Sequence, residues 1–198
     1  RRLPLTLKAV DISNFSGIPT HEQALALRDV ARAAIIGCQD VDIAKAQVAA
    51  CRGACLEVDL YAQPSVDSSL LYIVRGADRV AGESGLNRAS ESMLWLAFDF
   101  QPPTDMSPDF FIGWMSRFVS LAKLLQFQVG IYTRRNLWVD FMGDTSEFST
   151  YPLWYADYGG VDNMDNYEGF GGWLVPTMKQ YAQNVEIDGV LVDLSVYR

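Results

Sequence analysis

Two rhythms of apolar and polar positions alternate along most of the chain. Short, nearly continuous apolar runs, as in strands buried on both faces, are separated by stretches whose apolar residues recur every three or four positions. The runs are KAVDIS at 8–13, AAIIGCQ at 33–39, LEVDLYA at 56–62, MLWLAFDF at 93–100 and QVGIYT at 128–133. Helical spacing covers 20–32, where Thr20 and Gln23 are placed for a capping box, then DIAKAQVAACRGA at 42–54, and then 67–81. The clearest helix is SPDFFIGWMSRFVSLAKLLQ at 107–126, with Ser107 as N-cap and Pro108 in the first turn, and a short one is expected near 134–142. The last third breaks the rhythm. PLWYADY at 152–158, KQYAQ at 179–183 and GVLVDLSVY at 189–197 have strand character, with no long helical pattern between them.

Strand–helix alternation predicts an α/β fold with a parallel sheet, and eight strands favour closure over an open doubly wound sheet. The expectation is a single TIM-like barrel domain spanning 1–198, five βα units followed by three strands. No internal repeat, low-complexity run or linker interrupts it. The segment GGVDNMDNYEGFGG at 159–172 has the composition of a surface loop that could rim a site.

Bulk composition narrows the function classes. With 49% hydrophobic and 20% charged residues, the disordered, collagen-like and coiled-coil classes drop out. A formal net charge of −8, with no basic stripe, argues against nucleic acid as partner. No apolar run approaches the roughly 18 residues of a membrane span, and RRLPLTLKAV lacks the apolar stretch of a signal peptide. The first residue is Arg1, as expected of a chain that was processed, tagged or cut from something larger. Cys38, Cys51 and Cys55 have no His beside them, so buried structural thiols are expected, with no metal or cofactor. Aromatic residues make up 12% of the chain, and those near strand ends could stack on sugar rings or fill the core.

Barrel enzymes carry their chemistry at the C-terminal ends of the strands, and acids fall there. Asp11 lies in the first strand, Asp99 ends the fourth and Asp193 lies in the last, each among apolar neighbours. Gln101, two residues past Asp99, is expected on the same face of an extended chain. In a closed barrel the first and eighth strands are neighbours, so Asp11 and Asp193 should be close, with Asp99 across the mouth. Carboxylates so grouped perturb one another's titration and suit a glycosidase, which flanks a scissile bond with them.

VDIS at 10–13, LAFDFQ at 96–101, GIYT at 130–133, PLWYADY at 152–158, KQY at 179–181 and VDLSVY at 192–197 make the chain resemble the glycoside hydrolase family 25 lysozymes over nearly its whole length. The resemblance implies N-acetylmuramidase activity on bacterial peptidoglycan, with an acid in the first strand, an Asp-x-Glu pair ending the fourth and an Asp near the last. Asp11, Asp99 and Asp193 match three of these positions, and Gln101 stands where the resemblance places the proton-donating glutamate. An amide cannot deliver that proton, so an impaired or inactive enzyme is expected. Tyr132, Trp154, Tyr158, Gln180 and Tyr181 match positions that would line the sugar groove, Tyr132 and Trp154 being equally placed to serve as core aromatics. Asp157 and Asp59 are candidate substitutes for the lost acid, although Asp59 alternates with Glu57 and Tyr61 on what reads as a solvated face.

Three readings fit: a lysozyme deliberately changed from Glu to Gln, a pseudoenzyme that binds carbohydrate or a protein partner through the old cleft, and an active hydrolase using another acid. The implied partner is bacterial cell-wall glycan or a related polysaccharide, met outside the cell or in association with a phage. Because walls are acidic, a domain of net charge −8 is expected to bind through its cleft or an attached targeting module.

Overall fold

Five strand–helix units open the fold: β1 (Leu7–Ile12) with α1 (His21–Val30), β2 (Ala33–Gly37) with α2 (Val41–Gly53), and β3 (Glu57–Ala62) with α3 (Leu70–Glu83), then β4 (Met93–Phe98) with α4 (Pro108–Leu124) and β5 (Gln128–Thr133) with α5 (Arg135–Met142). Three strands complete it, β6 (Leu153–Ala156), β7 (Met178–Ile187) and β8 (Val190–Tyr197), and the eight close into one barrel in sequence order. The structure, a computed structural model, describes residues 7–101, 103, 105–159 and 161–197. The helix starts follow their local chemistry. Thr20 and Gln23 form a reciprocal capping box, the Asp40 carboxylate accepts from Asp42 and Ile43 N–H, and Ser107 caps α4 with Pro108 in its first turn.

Strands β1 to β7 pair in parallel, but β8 runs antiparallel to both its neighbours, contrary to the expected parallel sheet. The cause is a tight turn. Asp188 and Gly189 have φ of 49° and 80°, the left-handed pair of a two-residue hairpin, and a hairpin can join only antiparallel strands. The same hairpin prolongs β7 to Ile187, well beyond the expected 179–183. At β4 the difference is in the other direction, since the strand ends at Phe98 and not at 100.

Apolar side chains are buried in two places. Outward-facing residues such as Leu60, Phe98 and Ile131 pack against Phe111, Phe118 and other helix residues, while Ala9, Ile35, Trp95, Ala97, Tyr132, Trp154 and Met178 fill the barrel itself. Both faces of the central parallel strands are therefore buried, and this corrects the reading of β3. Val58, Leu60 and Ala62 pack toward the helices, so Asp59 and Tyr61 face the barrel interior and not solvent. Cys38 and Cys51 are buried as expected, whereas Cys55 is exposed just beyond α2.

Gly130 makes room for the interior aromatics, because a Cβ there would lie 2.4 Å from the Trp95 ring. Gly130→Ala is accordingly expected to destabilise the fold by about 1–3 kcal/mol through overpacking. A urea titration checks this, and an unchanged midpoint would mean that Trp95 has space to move.

Candidate functional site

A cleft of about 270 Å³ opens at the C-terminal ends of the parallel strands. One wall is built on the β1–β8 pair. Asp11 and Asp193 lie directly opposite each other in the antiparallel register, and Gln180 of β7 bridges them. Its Nε2 donates to Asp11 Oδ2 at 2.6 Å and to Asp193 Oδ2 at 3.2 Å. Its Oε1 accepts from the hydroxyls of Tyr132 at 2.7 Å and Tyr158 at 2.9 Å, which fixes the amide orientation. The Asn184 backbone N–H donates to Asp193 Oδ1 at 2.8 Å from a left-handed residue, φ 53°, beside a register shift in β7.

Burial and neighbouring charge set the protonation of this wall. Asp11 is pushed up to about 8, first by loss of water and then by the Asp193 carboxylate, with the Gln180 hydrogen bond opposing both. Burial also raises Asp193, against the Asn184 N–H. Two close carboxyls in a poorly hydrated corner hold a proton that free aspartates would have released.

Across the mouth, Asp99 follows the last residue of β4 and Arg134 the last residue of β5; Phe98 and Thr133, just before them, are register partners. Arg134 Nε donates to Asp99 Oδ1 at 2.7 Å, and its Nη2 reaches the same oxygen. Gln63 Nε2 donates to the Asp99 backbone carbonyl at 2.8 Å. The Tyr132 phenol is raised well above its ordinary value by burial and then by the Asp99 charge, so it stays a neutral donor to Gln180.

Most of the expected site residues meet here. Asp11, Asp99, Tyr132, Trp154, Tyr158, Gln180 and Asp193 all line the cleft. Trp154 and Tyr132 combine the two roles considered for them: they are buried, their rings are 4.5 Å apart, and they form the cleft floor. Trp154 Nε1 is anchored on Ser195 Oγ at 3.1 Å.

Gln101 and Tyr181 do not join them. Trp95 and Ala97 face the barrel interior, Asp99 continues that row into the cleft, and Gln101 is solvent-exposed outside the cleft lining. Strand alternation could not carry to position 101, because β4 has already ended at Phe98. Tyr181 points away from Gln180, as neighbours on a strand must, and packs with Met164 and Val196 outside the barrel.

Neither substitute acid reaches the cleft. Asp157 is tied to Lys179 and Asn166, and Asp59 lines a different cavity at the opposite end of the barrel. Arg134, Tyr61, Gln63 and the rim residue Phe15, which is 90% exposed, were not singled out from the sequence. Arg134 and Gln63 stand one residue past strand ends, a position at which side chains can turn into the mouth; Phe15 had no comparable signal. Among the described residues no cluster of three or more His, Cys, Asp or Glu is placed to hold a metal ion.

The family model described as lysozyme-like protein 1 matches residues 8–181. The probable GH family 25 lysozyme 4 of Dictyostelium discoideum is 34% identical over 117 residues, 58% of this chain and 53% of that protein. Counting factor 50 of the same organism is 43% identical over 82 residues, 40% of this chain and 27% of that protein. The chain thus spans about half the length, or less, of the curated relatives it matches. A muramidase from Trichobolus zukalii shares the fold, with a TM-score of 0.75 at 22% identity over 97% of this chain and 93% of that one.

Proposed function

The chain belongs to the lysozyme-like protein 1 family, within glycoside hydrolase family 25, and on that basis we propose that its cleft binds and hydrolyses bacterial cell-wall glycan outside the cell. The observation that carries the proposal is the division of carboxyls around one cleft. The Asp11–Asp193 wall retains a proton, while Asp99 faces it as the carboxylate of an ion pair with Arg134. A close pair of buried carboxyls facing a single carboxyl across one cleft is the arrangement a glycosidase needs.

In this reading the Asp11–Asp193 pair gives its proton, through the more accessible Asp193, to the glycosidic oxygen as the carbon–oxygen bond breaks. Asp99 stabilises the positive charge that develops on the sugar ring. Water then adds to that carbon and its proton returns to the pair. Tyr132, Trp154 and Tyr158 offer aromatic surface to the sugar, and Gln180 holds both acids in place.

Gln101 has no part in this scheme. Its exposure weighs against the impaired-enzyme reading, since the inward row of β4 ends in a carboxyl, Asp99, whatever stands at 101. Release of reducing ends from purified peptidoglycan tests the point. The parent chain is expected to turn over, and Gln101→Glu is expected to stay within about threefold of it. A gain of roughly 100-fold or more in Gln101→Glu would instead show that a general acid had been missing.

One observation favours a second reading, glycan binding without cleavage. Arg134 already engages an oxygen of Asp99, and a charge so occupied is less available to the substrate. Saturable glycan binding with no turnover in either the parent or Gln101→Glu would select it.

A further inference from the structure

A second cavity, of about 510 Å³, lies at the opposite end of the barrel, between the N-terminal ends of the parallel strands. It exists because the interior row there is uneven. Ala9 and Ala33 are small, whereas Trp95, Met93 and Met178 are long, so the floor of the barrel is left partly unfilled. A concave, mostly apolar space of this size with a few converging polar groups has the form of a small-molecule site.

Its polar group is Asp59. The carboxylate accepts from Met93 N–H at 2.8 Å through Oδ1 and from Trp95 Nε1 at 3.0 Å through Oδ2, so both oxygens are oriented and each keeps a lone pair. No cation pairs with it among the described residues. The arginines nearby are committed elsewhere, Arg52 to the carbonyls of Ser84 and Gly85 and Arg32 to Glu57. Burial raises Asp59 from its ordinary value, the response of a carboxylate short of water and of a counter-charge. Tyr197, also in the lining, has a buried hydroxyl with no hydrogen-bond partner among the described residues. Glu57 and Glu91 also stand in the lining, Glu57 paired with Arg32, and the one cation there among the described residues, Arg52, is turned to the Ser84 and Gly85 carbonyls. Nothing in the glycan cleft calls on any of these groups.

We propose that this cavity is a binding site for a small amphiphilic cation, whose ammonium group pairs with the Asp59 carboxylate while its apolar body lies against Trp95, Met93 and Met178. The ligand supplies the counter-charge that the described residues do not, and Tyr197, in the same lining, offers it an unpartnered hydroxyl oxygen. The site is independent of the proposed hydrolysis, so either can fail without the other.

The test uses the intact chain and three probes of equal tail length: n-octylammonium, octan-1-ol and n-octanoate. Octylammonium is expected to bind saturably and raise Tm, and to move the indole N–H resonance of Trp95 more than those of the other four of the five tryptophans. Octan-1-ol should bind about tenfold or more weakly, and octanoate more weakly still. Asp59→Asn should remove the preference for the cation by a similar factor. Should that variant not fold, Ala33→Phe fills the cavity without touching the carboxylate and is expected to abolish binding. Equal binding of the three probes, or octylammonium binding that leaves the Trp95 resonance in place, overturns the proposal.

Discussion

Asp11→Asn is expected to lower glycan hydrolysis by a factor on the order of 100 to 10,000 and, in the same protein, to raise stability at and above neutral pH. The two effects have one cause. Asp11 stays protonated in the fold up to about pH 8, against an ordinary value of 3.8, because it is buried beside Asp193. Between those values the folded chain binds a proton that the unfolded chain has released. Its stability therefore falls as pH rises, by about 1.4 kcal/mol per pH unit at full effect, and the loss is complete once Asp11 ionises in both states. Asparagine keeps an oxygen for Gln180 to donate to but has no proton to lose, so it removes the share of the slope that Asp11 contributes together with the acid. Urea midpoints at pH 5, 6, 7 and 8 should decline in the parent and flatten in the variant. The parent's activity should fall on the alkaline side, as the carboxyl wall ionises. A variant as active as the parent would remove Asp11 from the chemistry, and an unchanged stability slope would place the retained proton elsewhere.

That this corner would hold two acids followed from strand order alone. Asp11 and Asp193 sit on the first and last strands of a chain with eight strand signals, and closure makes those strands neighbours. The helices were legible for a different reason: Thr20, Ser107 and Pro108 are local signals whose chemistry acts within one turn. Where the structure departs from expectation, non-local geometry intervenes. The Asp188–Gly189 pair is itself a local hairpin signal, but the strand–helix rhythm of the earlier units obscured it and with it the reversal of β8.

Side-chain direction was harder to foresee than element type. Asp59 and Tyr61 looked solvated because polar and apolar residues alternate in β3, yet inside a barrel the polar row can be the inner one. Gln101 was placed beside Asp99 by extending alternation past the true end of β4, where the backbone no longer obeys it. Tyr181 sits next to a true cleft residue, Gln180, and adjacency on a strand guarantees the opposite face. The ion pair of Asp99 with Arg134 joins residues 35 apart, and no spacing rule would have joined them.

Lys179→Ala should be strongly destabilising although it lies outside the cleft lining, by about 3–5 kcal/mol. The Lys179 side chain is 0% exposed and lies 3.2 Å from Asp157 Oδ2. Its Nζ also donates to Asn166 Oδ1 at 2.7 Å, and Asn166 Nδ2 returns a bond to Asp157 at 2.8 Å, closing a three-residue network that includes Asn166 of the glycine-rich segment at 159–172. Removing the ammonium leaves a half-buried carboxylate without its counter-charge, and that penalty is larger than the lost attraction. Lys179→Met combined with Asp157→Asn retains most of the volume and discards both charges, so it should recover much of the loss. Lys179→Met alone keeps the volume but strands the Asp157 charge, so it should stay well below the double variant, and recovery already in Lys179→Met would assign the effect to packing and not to charge. The network also bears on the cleft. Lys179 precedes Gln180, and Asp157 precedes Tyr158, which donates to that glutamine at 2.9 Å. Loosening the buried pair should therefore weaken glycan turnover even where the double variant melts close to the parent.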